Sequence, residues 1–111
     1  MNNYLEIIKL LLQGMIDKNA SVLSSVLASN SKLIHMTGLV ESKEEYIKDI
    51  LNGTLNYYDY EIESVDENKA VIKLLAKVYG GSKSWWRLAM YTKYIKEDGN
   101  LKILESKVIN L

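Results

Sequence analysis

Beyond Gly53 the chain reads as four long β-strand stretches separated by three clusters of turn residues, and no proline occurs anywhere in it. Residues 69–79 set the pattern. Ala70, Ile72, Leu74, Ala76 and Val78 fall on one face, with Lys73 and Lys77 on the other. That two-residue period belongs to a strand buried on one side. Residues 54–65, 84–96 and 101–110 supply the other strands, rich in tyrosine and β-branched residues. "DENK", "GGSK" and "EDGN" turn the chain between them, and Asp98-Gly99 is a strong hairpin signal. Strands joined by such short turns run antiparallel. More than half of the chain is thereby committed to a meander.

The first half must cover that sheet. Leu5, Ile8, Leu12 and Met15, with Leu11 and Ile16 beside them, follow the 3.6-residue period and predict an amphipathic helix over residues 3–17. Asp17 or Asn19 can cap a second helix over about 20–28 that buries Leu23, Val26 and Leu27, closed by "SNSK". "LIHM" then reads as a short strand and "TGLVE" as a turn or second short strand. "SKEE" at 42–45 is a capping box, in which Ser42 and Glu45 satisfy each other's backbone amides. It opens a third helix carrying Tyr46, Ile47, Ile50 and Leu51 and stopped by Asn52-Gly53. The fold class is α+β: three N-terminal helices in the concave face of a strongly curved, mainly antiparallel sheet, as a single domain over residues 1–111.

Composition narrows the functions. Fourteen Lys+Arg balance fourteen Asp+Glu, and Arg87 is the only arginine. Without a basic field or arginine forks, nucleic acid is not an expected partner. The absence of cysteine removes disulfides and thiolate metal sites, and with one histidine no two-His metal site can form, so neither metal nor cofactor is expected. The apolar "YLEIIKLLLQGM" carries Glu6 and Lys9 and lacks a basic lead-in and a cleavage site, so it reads as a helix of the domain rather than a leader or membrane span. The expected location is the cytoplasm, with no membrane partner.

The order helix, helix, short strand, helix, four long strands resembles the nuclear transport factor 2-like superfamily. This is the cone fold shared by ketosteroid isomerase, scytalone dehydratase and SnoaL-like cyclases. The run "HMTG…SKEEYI…NG…Y" over 35–58, the "YGGSKSWWRLAM" segment over 79–90 and the "DGNLKI" ending resemble small stand-alone bacterial members of unassigned function. Such relatives usually place tryptophan after the final Asp-Gly, where this chain has Leu101. The resemblance implies homodimers formed through the outer sheet face. Alternation along 84–96 agrees, because Trp86, Leu88, Met90 and Tyr94 share one face while Trp85, Arg87, Ala89, Tyr91 and Ile95 share the other. Both faces are too apolar for one to be left wet, and Trp85, Arg87 and Tyr91 are the expected interface.

His35 is the leading candidate for chemistry, as an acid or base titrating near neutrality or as a ligand contact. Around it, Tyr46, Tyr57, Tyr58, Trp86, Met90 and Tyr94 are the expected pocket residues, with the choice between Tyr57 and Tyr58 left open. Eight tyrosines, two tryptophans and no phenylalanine mean that nearly every aromatic brings a donor that needs a partner when buried. Asp59, Glu61 and Glu63 alternate along one strand as on a wet face, although a bulge there would swap faces. Glu105 reads as one half of a surface ion pair and Asp17 as a helix cap, so no second ionisable partner for His35 stands out. "GGSK" lacks the spacing and the following helix of a phosphate loop.

The expected function is binding of a small, partly hydrophobic organic molecule in an apolar pocket bordered by His35, tyrosines and Trp86. One alternative is an isomerase, dehydratase or cyclase of enolisable carbonyl compounds, with His35 as acid/base and a tyrosine as oxyanion donor. Another is a protein-interaction module using the outer sheet face.

Overall fold

A computed structural model describes residues 3–78 and 86–111, apart from the side chains of Lys77, Val78 and Trp86. The "GGSK" turn lies outside the described residues. Helices α1 (Tyr4–Asp17) and α2 (Ala20–Val26) precede strands β1 (Leu27–Ile34) and β2 (Val40–Ser42). Helix α3 (Lys43–Leu51) then leads into β3 (Leu55–Val65), β4 (Lys69–Val78), β5 (Trp86–Glu97) and β6 (Asn100–Asn110). The strands form one sheet in the order β2-β1-β6-β5-β4-β3. All neighbours are antiparallel except β1 and β6, which run parallel.

Caps set the helix boundaries. The side chains of Asn3, Asn19 and Ser42 accept from the amides of Glu6, Val22 and Glu45, and the Ser42–Glu45 capping box is complete. Asp17 is the last residue of α1, where its carboxylate accepts from Gln13, and Asn19 caps α2 instead. Lys18 adopts a left-handed φ of 55° at the end of α1. Its ammonium donates to the carbonyls of Ile50 (2.9 Å) and Leu55 (3.4 Å) and to the Asn56 side chain (2.6 Å). One cation thus ties the end of α1 to both the end of α3 and the start of β3.

The sequence places the close of α2 too late. Helix α2 ends at Val26, and "SNSK" lies inside β1 rather than in a connection. The reason is tertiary: Leu27 and Ala28 are buried, and β1 pairs with β6 along this stretch. Weak helix formers such as serine and asparagine yield to that pairing.

The three helices bury their apolar stripes against one face of the sheet. Ile8, Leu11, Leu12 and Met15 of α1 and Leu23 of α2 join Ile72, Leu74, Met90 and Ile103 of the strands in one core. Register shifts in β3, at Tyr57/Asp59 and Ile62/Ser64, re-aim its side chains. Leu55 and Tyr57 point inward before the first shift, and Tyr60 and Ile62 after it. Asp59, Glu61 and Glu63 stay on the exposed side. Another shift, opposite Lys93/Tyr94, turns Glu105 outward beside Lys93, 3.9 Å away.

Candidate functional site

At one end of the inner sheet face, the space beneath α3 is not filled. The hollow measures about 240 Å³ and is walled by Leu55 and Tyr57 of β3, Ala76 of β4, Leu88 of β5 and Val108 of β6. The turn between β1 and β2 closes its mouth with His35, Met36, Thr37 and Leu39, and Glu41 and Asp49 complete the polar side.

The polar side is built by a tight hairpin and a helix. The His35 amide donates to the Leu39 carbonyl and the Gly38 amide to the His35 carbonyl, with Gly38 at φ 90°. A left-handed turn at that position suits glycine. Across this hairpin Leu33 pairs with Glu41, so His35, two residues beyond Leu33, is the diagonal neighbour of Glu41 on the same face. The result is a hydrogen bond between His35 Nε2 and Glu41 Oε1. Glu41 is only 5 % exposed although it sits on a three-residue strand. Asp49, one helical turn after Tyr46 on α3, stands near the Glu41 carboxyl on the same wall.

These contacts pull the Glu41 proton in opposite directions. Burial raises its pKa most, and the carboxyl of Asp49 raises it further. The imidazole of His35 lowers it by less, so the net direction is up from 4.5. Deeper in, the Tyr46 hydroxyl donates to that of Tyr57 at 3.4 Å, with both rings buried. Burial pushes the Tyr57 phenol up to about 12 and that of Tyr46 well above its ordinary value, so both stay protonated hydroxyls at neutral pH. The Tyr57 hydroxyl accepts from Tyr46, and no acceptor for its own proton is seen among the described residues.

Of the residues expected at a pocket, His35 and Tyr57 lie on the wall, and Tyr46 stands directly behind Tyr57. Tyr58, Met90 and Tyr94 do not line it. Tyr58 is 46 % exposed, because the first β3 register shift turns it outward. Met90 is fully packed in the core. Tyr94 lies against Tyr4, with ring centroids 4.8 Å apart, and its hydroxyl has no partner among the described residues. The Trp86 side chain and the whole of Trp85 lie outside the described residues. Arg87 and Tyr91 are exposed on the outer sheet face.

Glu41 and Asp49 were not singled out from the sequence. A hairpin reading of 32–42 centred on Thr37 would have paired Leu33 with Glu41, and the Tyr46–Asp49–Ile50 spacing marks one face of α3. Among the described residues, no group of three or more His, Asp or Glu is placed to hold a metal ion, and no helix is long and apolar enough to cross a membrane.

Solved structures share this architecture. A nuclear transport factor 2-like protein of unknown function in nutrient uptake from Rhodospirillum rubrum superposes with a TM-score of 0.71 at 17 % identity, over 99 % of both chains. Another of unknown function, from Cytophaga hutchinsonii, gives 0.71 at 15 % identity, over 100 % of this chain and 92 % of that one. A further one from the same organism gives 0.70 at 18 % identity, over 96 % and 94 %. No family profile matches the chain, and no curated protein matches its sequence. Identities this low establish the fold and leave the chemistry to the residues.

Proposed function

We propose that this chain, which has the nuclear transport factor 2-like fold, binds a small, partly hydrophobic organic molecule in the hollow beneath α3 and exchanges a proton with it through His35 and Glu41. The observation that carries this reading is the imidazole–carboxyl pair set in an otherwise largely apolar wall. An apolar recess with a few converging polar groups and a perturbed carboxyl is the usual make-up of a ligand site. Its volume of about 240 Å³ falls below the range of drug-sized sites, so the ligand is small, a single ring with a short arm. Ligand-detected NMR with single-ring fragments tests this. Hits should compete with one another and vanish in Ala76→Leu, which fills the hollow. Hits unaffected by that variant, or none at all, would overturn the reading.

The same geometry supports a catalytic version. His35 or Glu41 can take a proton from carbon while the Tyr57 hydroxyl donates to the carbonyl oxygen, making the protein an isomerase, dehydratase or cyclase of enolisable carbonyl compounds. Solvent deuterium entering the α-position of a cyclic ketone, lost in His35→Ala, is the expected sign. Equal exchange in that variant would exclude it.

The reading includes a cytoplasmic location and a homodimer through the outer sheet face, where exposed Tyr91 and Ile95 lie among half-buried Val71, Leu75 and Ile109. Light scattering should give twice the 12.7 kDa chain mass. A monomer mass would refute the dimer.

A further inference from the structure

The wall of the hollow is unbalanced in charge. Its polar side carries two carboxyl groups, Glu41 and Asp49, and among the described residues no lysine or arginine lines the cavity. Among the described residues, the charged groups that act on Glu41 are Asp49 and His35. The Lys18 ammonium does not line the cavity and is held by the carbonyls of Ile50 and Leu55 and by the Asn56 side chain. Two carboxyls therefore stand against one imidazole on this wall, in otherwise largely apolar surroundings. A charge in such surroundings needs a counter-charge. The single imidazole can offset at most one of the two carboxyls.

We propose that the ligand of this hollow is a small protonated amine with an apolar ring, its ammonium donating to Glu41 and Asp49 and its ring lying against Leu55, Leu88 and Val108. This rests on the reading of the hollow as a ligand site and adds the charge of the ligand. An ammonium brings three donors to a wall whose carboxyl oxygens accept, and charge-assisted bonds of this kind are the strong ones. A carboxylate or phosphate ligand would instead meet two carboxyls of like charge, so the same wall that favours an amine rejects an anion.

Three compounds with one ring and different heads test it: benzylamine, benzyl alcohol and benzoate, titrated by calorimetry into the full chain at neutral pH. Benzylamine should bind about tenfold tighter than benzyl alcohol, and benzoate should show no binding. Glu41→Gln should erase the preference for the amine over the alcohol. Asp49→Asn is the second variant should the first fail to fold, and thermal melts report folding of both. If the alcohol or benzoate binds as tightly as the amine, the inference falls and the ligand-site reading stands. If none of the three binds, both fall. An amine preference that survives both substitutions would also overturn the assignment, because the carboxyls would not be its source.

Discussion

The inner face of the sheet has two ends made from the same strands, and only one is filled. Along β4, Ala70 and Ile72 are fully buried opposite Thr92 and Met90, and the Thr92 and Ser106 hydroxyls bond each other at 3.1 Å. Four residues farther along the same face, Ala76 borders the hollow with Leu88 and Val108. The two alanines share a strand and a face, and differ in what lies above them. Among the described residues, the one fully buried side-chain polar atom without a hydrogen-bond partner is the Tyr94 hydroxyl, at the Ala70 end. At the Ala76 end, His35, Glu41, Asp49 and Tyr57 face unfilled space. Interiors ordinarily pack to crystal-like density, so a hollow bordered by ionisable groups sets this end of the sheet apart from the packed one.

Substitutions at the two ends should separate them. The largest effect is expected at the filled end, where Ile72→Ala should cost about 2–5 kcal/mol in urea unfolding by opening a new void. Leu88→Ala, which only enlarges an existing one, should cost less. Equal losses would erase the distinction. Next come the paired alanines: Ala70→Val should cost about 1–3 kcal/mol through overpacking, and Ala76→Val less than about 1. The reverse order would place the void elsewhere.

A smaller contrast depends on pH. Because the folded chain raises the Glu41 pKa above 4.5, the unfolded chain releases that proton first as pH climbs. The folded state binds more protons in that window, so this carboxyl makes stability fall as pH rises from 4.5 through its raised value. Glu97 and Asp66 are held below their ordinary values, by bonds from Ser29 and from the amides of Lys69 and Asn68 respectively. Their contribution is present above the ordinary carboxylate range and lost as pH falls. The Glu41 slope therefore has the opposite sign. Glu41→Gln should flatten the decline in urea midpoint on going from pH 4.5 toward neutrality. A decline of the same steepness in the variant would show that the carboxyl is not held as described. The smallest effect should be at Tyr94, where Tyr94→Phe removes a buried hydroxyl without a partner and should raise stability by about 0.5 kcal/mol or leave it unchanged. A loss above about 1 kcal/mol would mean that the hydroxyl is satisfied.

The two ends also differed in how far the sequence revealed them. The filled end follows from period alone: α1 has its stripe, β4 its alternation and α3 its capping box, and each appears at nearly the expected residues. The hollow depends on events that period cannot express. One extra residue in β3 decides that Tyr57 faces in and Tyr58 out, since adjacent tyrosines look alike until a bulge separates them. Glu41 lies inward while Val40 beside it is 50 % exposed, the inverse of what hydrophobicity predicts for a short strand. That inversion is affordable only because His35 and Asp49 meet the carboxyl, and both partners come from other elements. The fold could be read from local pattern, whereas the site depended on which side chains met across the hairpin.

The chain has a single histidine, so one imidazole NMR signal reports on the mouth of the hollow without ambiguity. Titrating benzylamine into the labelled protein while following that signal, together with the Val108 and Tyr94 resonances, tests the central claim most directly. The account predicts saturable shifts at His35 and Val108, none at Tyr94, and none anywhere in Ala76→Leu. An imidazole signal that stays still, or moves equally in the filled variant, would contradict it.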